Sequence, residues 1–292
     1  MKALFVSKNL IGDALYVGPA LRAWFKQQKG VVDIWMQTLD DHVAPLYEGM
    51  VRDLVVGQHT FGLCFNRPDV KFDFEHTFDV SKAFQLSDQK KQHLATSYAD
   101  LLGVKIGDDM PHLKPIFIPE EWDRDSLKGC ILVSMFSASC SGRDPKCNYV
   151  PNKMLPWDKW VPMIAYLRQN YPDTPIKFLG APTDMVPNGY AINIVRPGEY
   201  MLGIPLNRLA LIMQQAKLLV TIDNGMAHLG ASQETPTFLM YPVALGAHYI
   251  LPIGNPNLVW LHMNPVTVDK ERLLAGLVWA TSKFEKTIWR KK

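Results

Sequence analysis

The sequence predicts an α/β protein made of two doubly wound domains that face each other across a central cleft. Short apolar strand patterns alternate with helical spacing along nearly the whole chain. The alternation is interrupted once, between residues 107 and 128, by a stretch with three prolines and no sustained periodicity, which is typical of a linker. The length of 292 residues is enough for two domains of ordinary size.

The first half of the chain is predicted to form an N-terminal domain over residues 1–122. Strand–helix–strand units of this length form right-handed parallel crossovers. A longer amphipathic helix, over residues 88–102, closes the series. The other predicted elements are strands over residues 3–7, 31–36 and 53–56, a helix over 14–28 and a weak helix over 42–47.

The second half is predicted to form a C-terminal domain over residues 123–292. In doubly wound sheets, ligands bind beyond the carboxyl ends of the strands, so the shared cleft is the expected site. The predicted strands cover residues 130–136, 176–179, 191–195, 217–222 and 237–241. The predicted helices cover residues 158–169 and 207–215, a short stretch from residue 226, and residues 270–286.

The composition is that of a compact globular protein, with 48% hydrophobic and 20% charged residues. The net charge of +3 neither requires nor excludes a nucleic-acid partner. The four cysteines include no C-x-x-C pair, which favours free thiols over a zinc site. The start has no signal-peptide pattern, and no stretch approaches the roughly 20 apolar residues of a transmembrane helix. We therefore expect a cytoplasmic protein without a transmembrane segment.

The turn after the first strand, residues 8–13, is the first candidate for chemistry. Gly12 permits a tight turn, and Asp13 then stands at the start of a helix, where a carboxylate can accept a proton from a hydroxyl. The alternative is that Asp13 caps the helix by accepting backbone N–H bonds. The turn lacks the G-x-G-x-x-G pattern of dinucleotide-binding domains.

The second candidate is the stretch from residue 220 to residue 229, where a strand ends in Asp223-Asn224-Gly225 and a helix begins. The first turn of a helix presents unpaired N–H groups and a partial positive charge, which suit a pyrophosphate. Gly225 allows close approach to the backbone, and His228 lies one turn further. The alternative, equally weighted, is that Asp223 caps the helix and His228 is a core histidine.

Four anchors in order make the sequence resemble the heptosyltransferase-like family 9 of glycosyltransferases, which has the GT-B architecture of two Rossmann-like domains. Three of them are a strand–loop–helix opening, a K-x-W-P-x-x-x-W segment and a turn after a strand. The fourth, a D-[ST]-G-x-x-H-L-x-A signature, is the most specific. The matching residues are Ile11-Gly12-Asp13 with Pro19-Ala20-Leu21-Arg22; Lys153, Pro156 and Trp160; Gly180-Ala181-Pro182; and Asp223-Asn224-Gly225, His228-Leu229 and Ala231.

The resemblance implies a function and a site. It implies transfer of a sugar from a nucleoside-diphosphate sugar with inversion and without a metal or other cofactor, the acceptor being a glycan of the lipopolysaccharide-core type. Asp13 would be the general base and Lys153 a contact to the donor phosphates. The donor-binding turn would comprise Asp223, Asn224, Gly225 and His228. The final helix is expected to pack back toward the N-terminal domain.

The chain also departs from the family pattern. Asn224 replaces the Ser or Thr of the signature, and Leu155 replaces a Trp. The long segment before Lys153 contains Ser137 and Ser139, which could donate hydrogen bonds to phosphate. It also contains Arg143, which, like Gly12, is a weaker candidate for a contact to the acceptor. A solvated loop is the equal alternative for this segment.

Other functions remain open at this stage. Within glycosyl transfer, hydroxylated bases of DNA are a second acceptor class. Peripheral contact with a membrane is compatible with the first class, the lipopolysaccharide-core glycan. Outside it, the alternatives are an NAD-dependent oxidoreductase and a non-catalytic nucleotide-binding protein, because a fold by itself does not determine a function.

Overall fold

The computed structural model describes residues 2–6, 11–28, 33–38, 61–65, 76–107, 127–136, 155–180, 195–242, 251–252 and 254–289. The chain divides into two compact units. The first comprises Met1–Ile118, Pro205–Ala210 and His248–Gly254; the second comprises Pro119–Ile204, Leu211–Ala247 and Asn255–Lys292. The predicted domain boundary after residue 122 stays a prediction, since residues 108–126 lie outside the described residues.

The first unit contains a four-stranded parallel sheet of order β3-β2-β1-β4. The strand order reverses at β1, between β2 and β4, as in doubly wound sheets. The strands are β1 (Lys2–Val6), β2 (Asp33–Thr38), β3 (Phe61–Phe65) and β4 (His76–Asp79). The helices are α1 (Ile11–Lys26), α2 (Ala83–Lys90) and α3 (Leu94–Leu101).

The helix predicted over residues 88–102 is instead two helices, α2 and α3. Lys91 ends α2 in the left-handed conformation, with φ 53°. His93 then caps α3, its Nδ1 accepting a hydrogen bond from the backbone N–H of Ala95 at 3.1 Å. Strands β3 and β4 were missed, and the predicted elements over residues 42–47 and 53–56 lie outside the described residues.

The second unit contains a six-stranded parallel sheet of order β10-β9-β8-β5-β6-β7. Its strands are β5 (Ile131–Ser134), β6 (Ile176–Gly180), β7 (Tyr200–Leu202), β8 (Leu218–Ile222), β9 (Thr237–Pro242) and β10 (Leu258–Met263). Its helices are α4 (Trp157–Asn170), α6 (Gly225–Ser232), α7 (Lys270–Thr287) and the second half of α5 (Leu206–Gln215), of which Leu206–Ala210 are assigned to the first unit.

The order of the six strands identifies the point where ligands bind in such sheets. Counted along the chain, the strands lie in the order 6-5-4-1-2-3, which is that of the dinucleotide-binding α/β fold read in reverse. The first strand of the series, β5, lies between β6 and β8, so the chain changes direction across the sheet there. The switch point therefore lies between the carboxyl ends of β5 and β8.

The two faces of this sheet are covered by different helices. One face forms an apolar core with α4 and α7, which includes the fully buried Trp160 and Phe284. The other face carries α6, which approaches so closely that a Cβ added at Gly230 would lie 2.6 Å from Cδ2 of Leu219. Any larger residue at position 230 would therefore force the Leu219 side chain to shift where α6 crosses β8.

Most predicted elements of the second unit are confirmed, with small shifts at their ends. The exceptions are β7 and β10, which were missed, and the strand predicted over residues 191–195, of which residues 191–194 lie outside the described residues. The final helix α7 contacts α4 and β10 of its own unit. Among the described helices, none is long and apolar enough to cross a membrane.

Candidate functional site

The candidate site is the switch point between β5 and β8. These strands are parallel neighbours, with Ser134 at the end of β5 in register with Thr221 of β8. Asp223 and Asn224 follow β8 directly, and α6 begins at Gly225. The chain therefore turns from strand to helix at the position where doubly wound sheets bind ligands.

Asn224 holds this turn in place with both ends of its side-chain amide. Its Oδ1 accepts hydrogen bonds from the backbone N–H groups of Met226 at 3.0 Å and Ala227 at 3.2 Å, which caps α6. Its Nδ2 donates to Ser134 Oγ at 2.9 Å and to the Phe136 carbonyl at 2.7 Å. One side chain thus ties the start of α6 to the end of β5 across the switch point.

This geometry corrects two expectations about the turn. Asn224, and not Asp223, caps α6, so the capping role considered for Asp223 is wrong. The first turn also presents fewer unpaired N–H groups than expected, because the side chain of Asn224 accepts from Met226 and Ala227. What the turn offers an anion is the N–H group of Gly225 and the positive end of the helix dipole.

Asp223 and His228 are buried, with 2% and 9% of their surfaces exposed. Ile222 of β8 is in register with Met240 of β9. The next residues along the two strands, Asp223 and Tyr241, therefore lie side by side. Burial raises the pKa of Tyr241, and the nearby negative charge of Asp223 raises it further. The phenol therefore stays neutral beside the carboxylate at physiological pH.

Tyr241 and His262 were not among the predicted site residues. They lie in adjacent strands, directly opposite each other in register, with ring centroids 6.2 Å apart. The sequence signal that could have found Tyr241 is a polar aromatic residue at the end of a buried strand. For His262 there was none, because β10 itself was missed.

The other predicted site residues are described in part or not at all. Asp13 is the third residue of α1, inside its first turn, and Gly12 precedes it. Because the helix begins at Ile11, Asp13 is not its N-cap, and the capping alternative is wrong. Lys153, Ser137, Ser139 and Arg143 lie outside the described residues.

Among the described residues, no group of three or more His, Cys, Asp or Glu side chains is arranged to hold a metal ion. No protein-family model matches the chain, and no curated protein matches it either.

Solved structures do match it over nearly its full length. The family 9 glycosyl transferase of Veillonella parvula is 15% identical with a TM-score of 0.70, the match covering 97% of each chain. The ADP-heptose lps heptosyltransferase II of E. coli is 11% identical with a TM-score of 0.66, covering 98% of this chain and 100% of that one. The iron-containing dodecameric glycosyltransferase TibC of enterotoxigenic E. coli is 13% identical with a TM-score of 0.64, covering 98% and 76%.

At these identities the likeness establishes the fold. The chain has the heptosyltransferase-like α/β fold of family 9 glycosyltransferases, in agreement with the resemblance seen in the sequence. The correspondence covers 97–98% of this chain.

Proposed function

We propose that this protein is a glycosyltransferase that moves a sugar from a nucleoside diphosphate to a hydroxyl acceptor. The observation that carries the proposal is the start of α6, fixed by Asn224 at the switch point of the six-stranded sheet. A helix N-terminus at that position attracts a diphosphate through its dipole and the N–H group of Gly225. The fold shared with known glycosyltransferases supports the reaction type.

The proposed reaction is a direct displacement with inversion at the anomeric carbon. The acceptor oxygen forms a bond to that carbon while the bond to the diphosphate oxygen breaks, and the acceptor proton passes to Asp13. The negative charge that develops on the leaving diphosphate is stabilised by the α6 dipole and by Lys153, without a metal in the proposed mechanism. The roles of Asp13 and Lys153 are supported by the family resemblance.

We further propose ADP as the first carrier to test and a glycan of the lipopolysaccharide-core type as the acceptor. The support is the E. coli structure of the same fold, which is named as an ADP-heptose lps heptosyltransferase. TibC is described as iron-containing, so transfer should also be measured with and without a chelator. Loss of activity on chelation would contradict a metal-free mechanism.

The test of the donor site is thermal unfolding with ADP, UDP, GDP, CDP and NAD at millimolar concentration. A ligand that binds only the folded state stabilises it by about 2.7 kcal/mol at a hundredfold excess over its Kd. Stabilisation by one nucleoside diphosphate supports the proposal and identifies the carrier. A response to NAD alone would favour an oxidoreductase, and no response at all would count against a donor site.

Asp13→Asn tests the proposed base. Transfer should fall at least about a hundredfold, because general-base catalysis contributes roughly 10²–10⁴ in rate, while nucleotide affinity stays within a few-fold. Asp100→Asn is a matched control, since that carboxylate is paired with Lys90 on an exposed surface. Undiminished turnover in Asp13→Asn would overturn the assignment.

A further inference from the structure

Two buried polar atoms lie together at the carboxyl edge of the six-stranded sheet without a hydrogen-bond partner among the described residues. They are Oη of Tyr241 and Nε2 of His262. The Tyr241 side chain is completely buried. The two residues are opposite each other in register on β9 and β10, so the two atoms belong to one local cluster.

This cluster lies on the face of the sheet that carries α6. Gly230 of α6 approaches Leu219 and Thr237, which identifies the strand positions that face this helix. Side chains alternate along a strand, so Asp223, four residues after Leu219, and Tyr241, four residues after Thr237, face the same side. The unpaired phenol therefore lies beside the buried carboxylate that leads into α6.

Leaving a buried hydroxyl unpaired is unfavourable by about 1–3 kcal/mol. Two other tyrosines of the same unit do have partners. The Tyr166 hydroxyl lies 2.9 Å from Thr281 Oγ1, and the Tyr171 hydroxyl donates to Glu285 at 2.9 Å. These two phenols are satisfied within the unit, whereas Tyr241, at the edge where a ligand is expected, has no partner in the described part of the chain.

The chemistry of the cluster selects the kind of ligand group. A carboxylate repels a phosphate, so the group that contacts the Asp223 carboxylate itself is not a phosphate. A carboxylate only accepts hydrogen bonds, and a neutral phenol can donate one. Side by side they match a ligand hydroxyl, which donates to Asp223 while it accepts from Tyr241.

We infer that Tyr241, with His262 beside it, forms a subsite that recognises a hydroxyl group of the sugar-nucleotide donor. The inference rests on the proposed function, since it assigns a part of the same donor to this edge of the sheet. The hydroxyl belongs either to the ribose or to the transferred sugar. Neighbouring strands are about 4.8 Å apart, so β9 and β10 lie within reach of a ligand whose diphosphate sits at β8.

Tyr241→Phe separates this role from a structural one. The substitution removes only an unpaired hydroxyl, so the stability of the ligand-free chain should be unchanged or higher. Affinity for the donor should fall about three- to tenfold, the loss of one neutral hydrogen bond. A hydroxyl with a structural role would give the opposite pattern, lower stability and unchanged affinity.

The measurements are thermal unfolding without ligand and calorimetric titration with the nucleoside diphosphates and with ADP-glucose, UDP-glucose and GDP-mannose. Tyr166→Phe is the matched control: it loses a partnered hydroxyl, so its stability should fall and its affinity stay constant. Weaker binding of the bare diphosphate by Tyr241→Phe assigns the hydroxyl to the ribose. Weaker binding of the nucleotide sugar alone assigns it to the sugar.

Unchanged affinity of Tyr241→Phe for every ligand that the natural chain binds overturns the subsite and leaves the proposed function intact. If the natural chain binds none of the probes, the proposed function fails and the subsite fails with it. His262→Phe is an independent second variant, which keeps a ring beside Tyr241 and removes Nε2. It should also weaken binding, by a smaller factor, and unchanged affinity of this variant overturns the assignment of His262 to the subsite.

Discussion

The two faces of the six-stranded sheet bury polar side chains in different ways. On the face covered by α4 and α7, the hydroxyls of Tyr166 and Tyr171 are both paired within the unit. On the face that carries α6, at the carboxyl edge, Tyr241 is buried with its hydroxyl unpaired. The paired hydroxyls of Tyr166 and Tyr171 are only partly buried, whereas Tyr241 is completely buried, so the hydroxyl without a partner among the described residues is also the more deeply buried one. The comparison teaches that, among these three tyrosines, the hydroxyl for which a missing partner is most unfavourable is the one with no described partner, as expected if the proposed subsite binds a ligand there.

The largest effect is expected from Asn224→Ala. It removes the cap of α6 and the bonds to Ser134 and Phe136, so the free energy of unfolding should fall by about 2–3 kcal/mol. Binding of the nucleoside diphosphate should weaken as well, because the start of α6 is no longer tied to β5. Denaturant unfolding and calorimetric titration measure the two quantities.

Asn224→Ser sharpens this result. A serine can still cap α6, but it cannot also donate to both Ser134 and the Phe136 carbonyl, so the loss of stability should be about half as large. The weaker nucleotide binding should persist if the tie to β5 positions the turn. If Asn224→Ala lowered the free energy of unfolding by less than about 1 kcal/mol, the hydrogen-bonded amide would contribute little to stability. The comparison between paired and unpaired polar groups would then fail.

A smaller effect is expected from Tyr171→Phe on the opposite face. Its hydroxyl donates to Glu285, and its ring packs against Trp289 and under the Lys217 ammonium at 4.6 Å. Phenylalanine keeps the ring contacts, so only the hydrogen bond is lost, at about 1 kcal/mol in the free energy of unfolding. Nucleotide affinity should not change. A parallel loss of affinity would show that the two faces are not independent.

The smallest effect concerns His93 of the first unit, a partly buried group with both ring nitrogens paired. Nδ1 accepts from Ala95, and Nε2 lies 3.0 Å from the Leu251 carbonyl, which requires a neutral ring with the proton on Nε2. Burial lowers the pKa of His93 below its usual 6.5, against the weaker opposing effect of the bond to Leu251.

Because the folded pKa is lowered, the unfolded chain binds the additional proton first as the pH falls. The contribution of His93 to stability is therefore complete above about pH 6.5 and is lost as the pH falls through its folded pKa. His93→Asn keeps a capping oxygen and removes the titration, so the two unfolding curves should diverge between pH 7 and pH 5. Parallel curves over that range would contradict the assignment.

The sequence alone determined the helices and strands that have a clear pattern of apolar residues. Helix α7, with amphipathic spacing over a full eighteen residues, and strand β8, a continuous apolar run, were predicted to within a residue or so. Local physics decides such segments, because side-chain periodicity and chain-end signals suffice. The donor turn was found in the same way, since Asp223, Asn224 and Gly225 are adjacent in the chain.

Only the tertiary structure decided what joins distant parts of the chain. Strand β10 is a short apolar run without alternation, and its pairing with β9 distinguishes it from a buried helical segment. The break between α2 and α3 depends on His93, which caps α3 but lies inside the single helix that the apolar spacing predicts. The bond from Asn224 to Ser134 spans ninety residues, and the pairing of Tyr241 with His262 follows from strand register. Periodicity is a local property of the sequence, whereas register and long-range hydrogen bonds arise from the packed sheet, and for that reason the subsite beside Asp223 could be seen only in the fold.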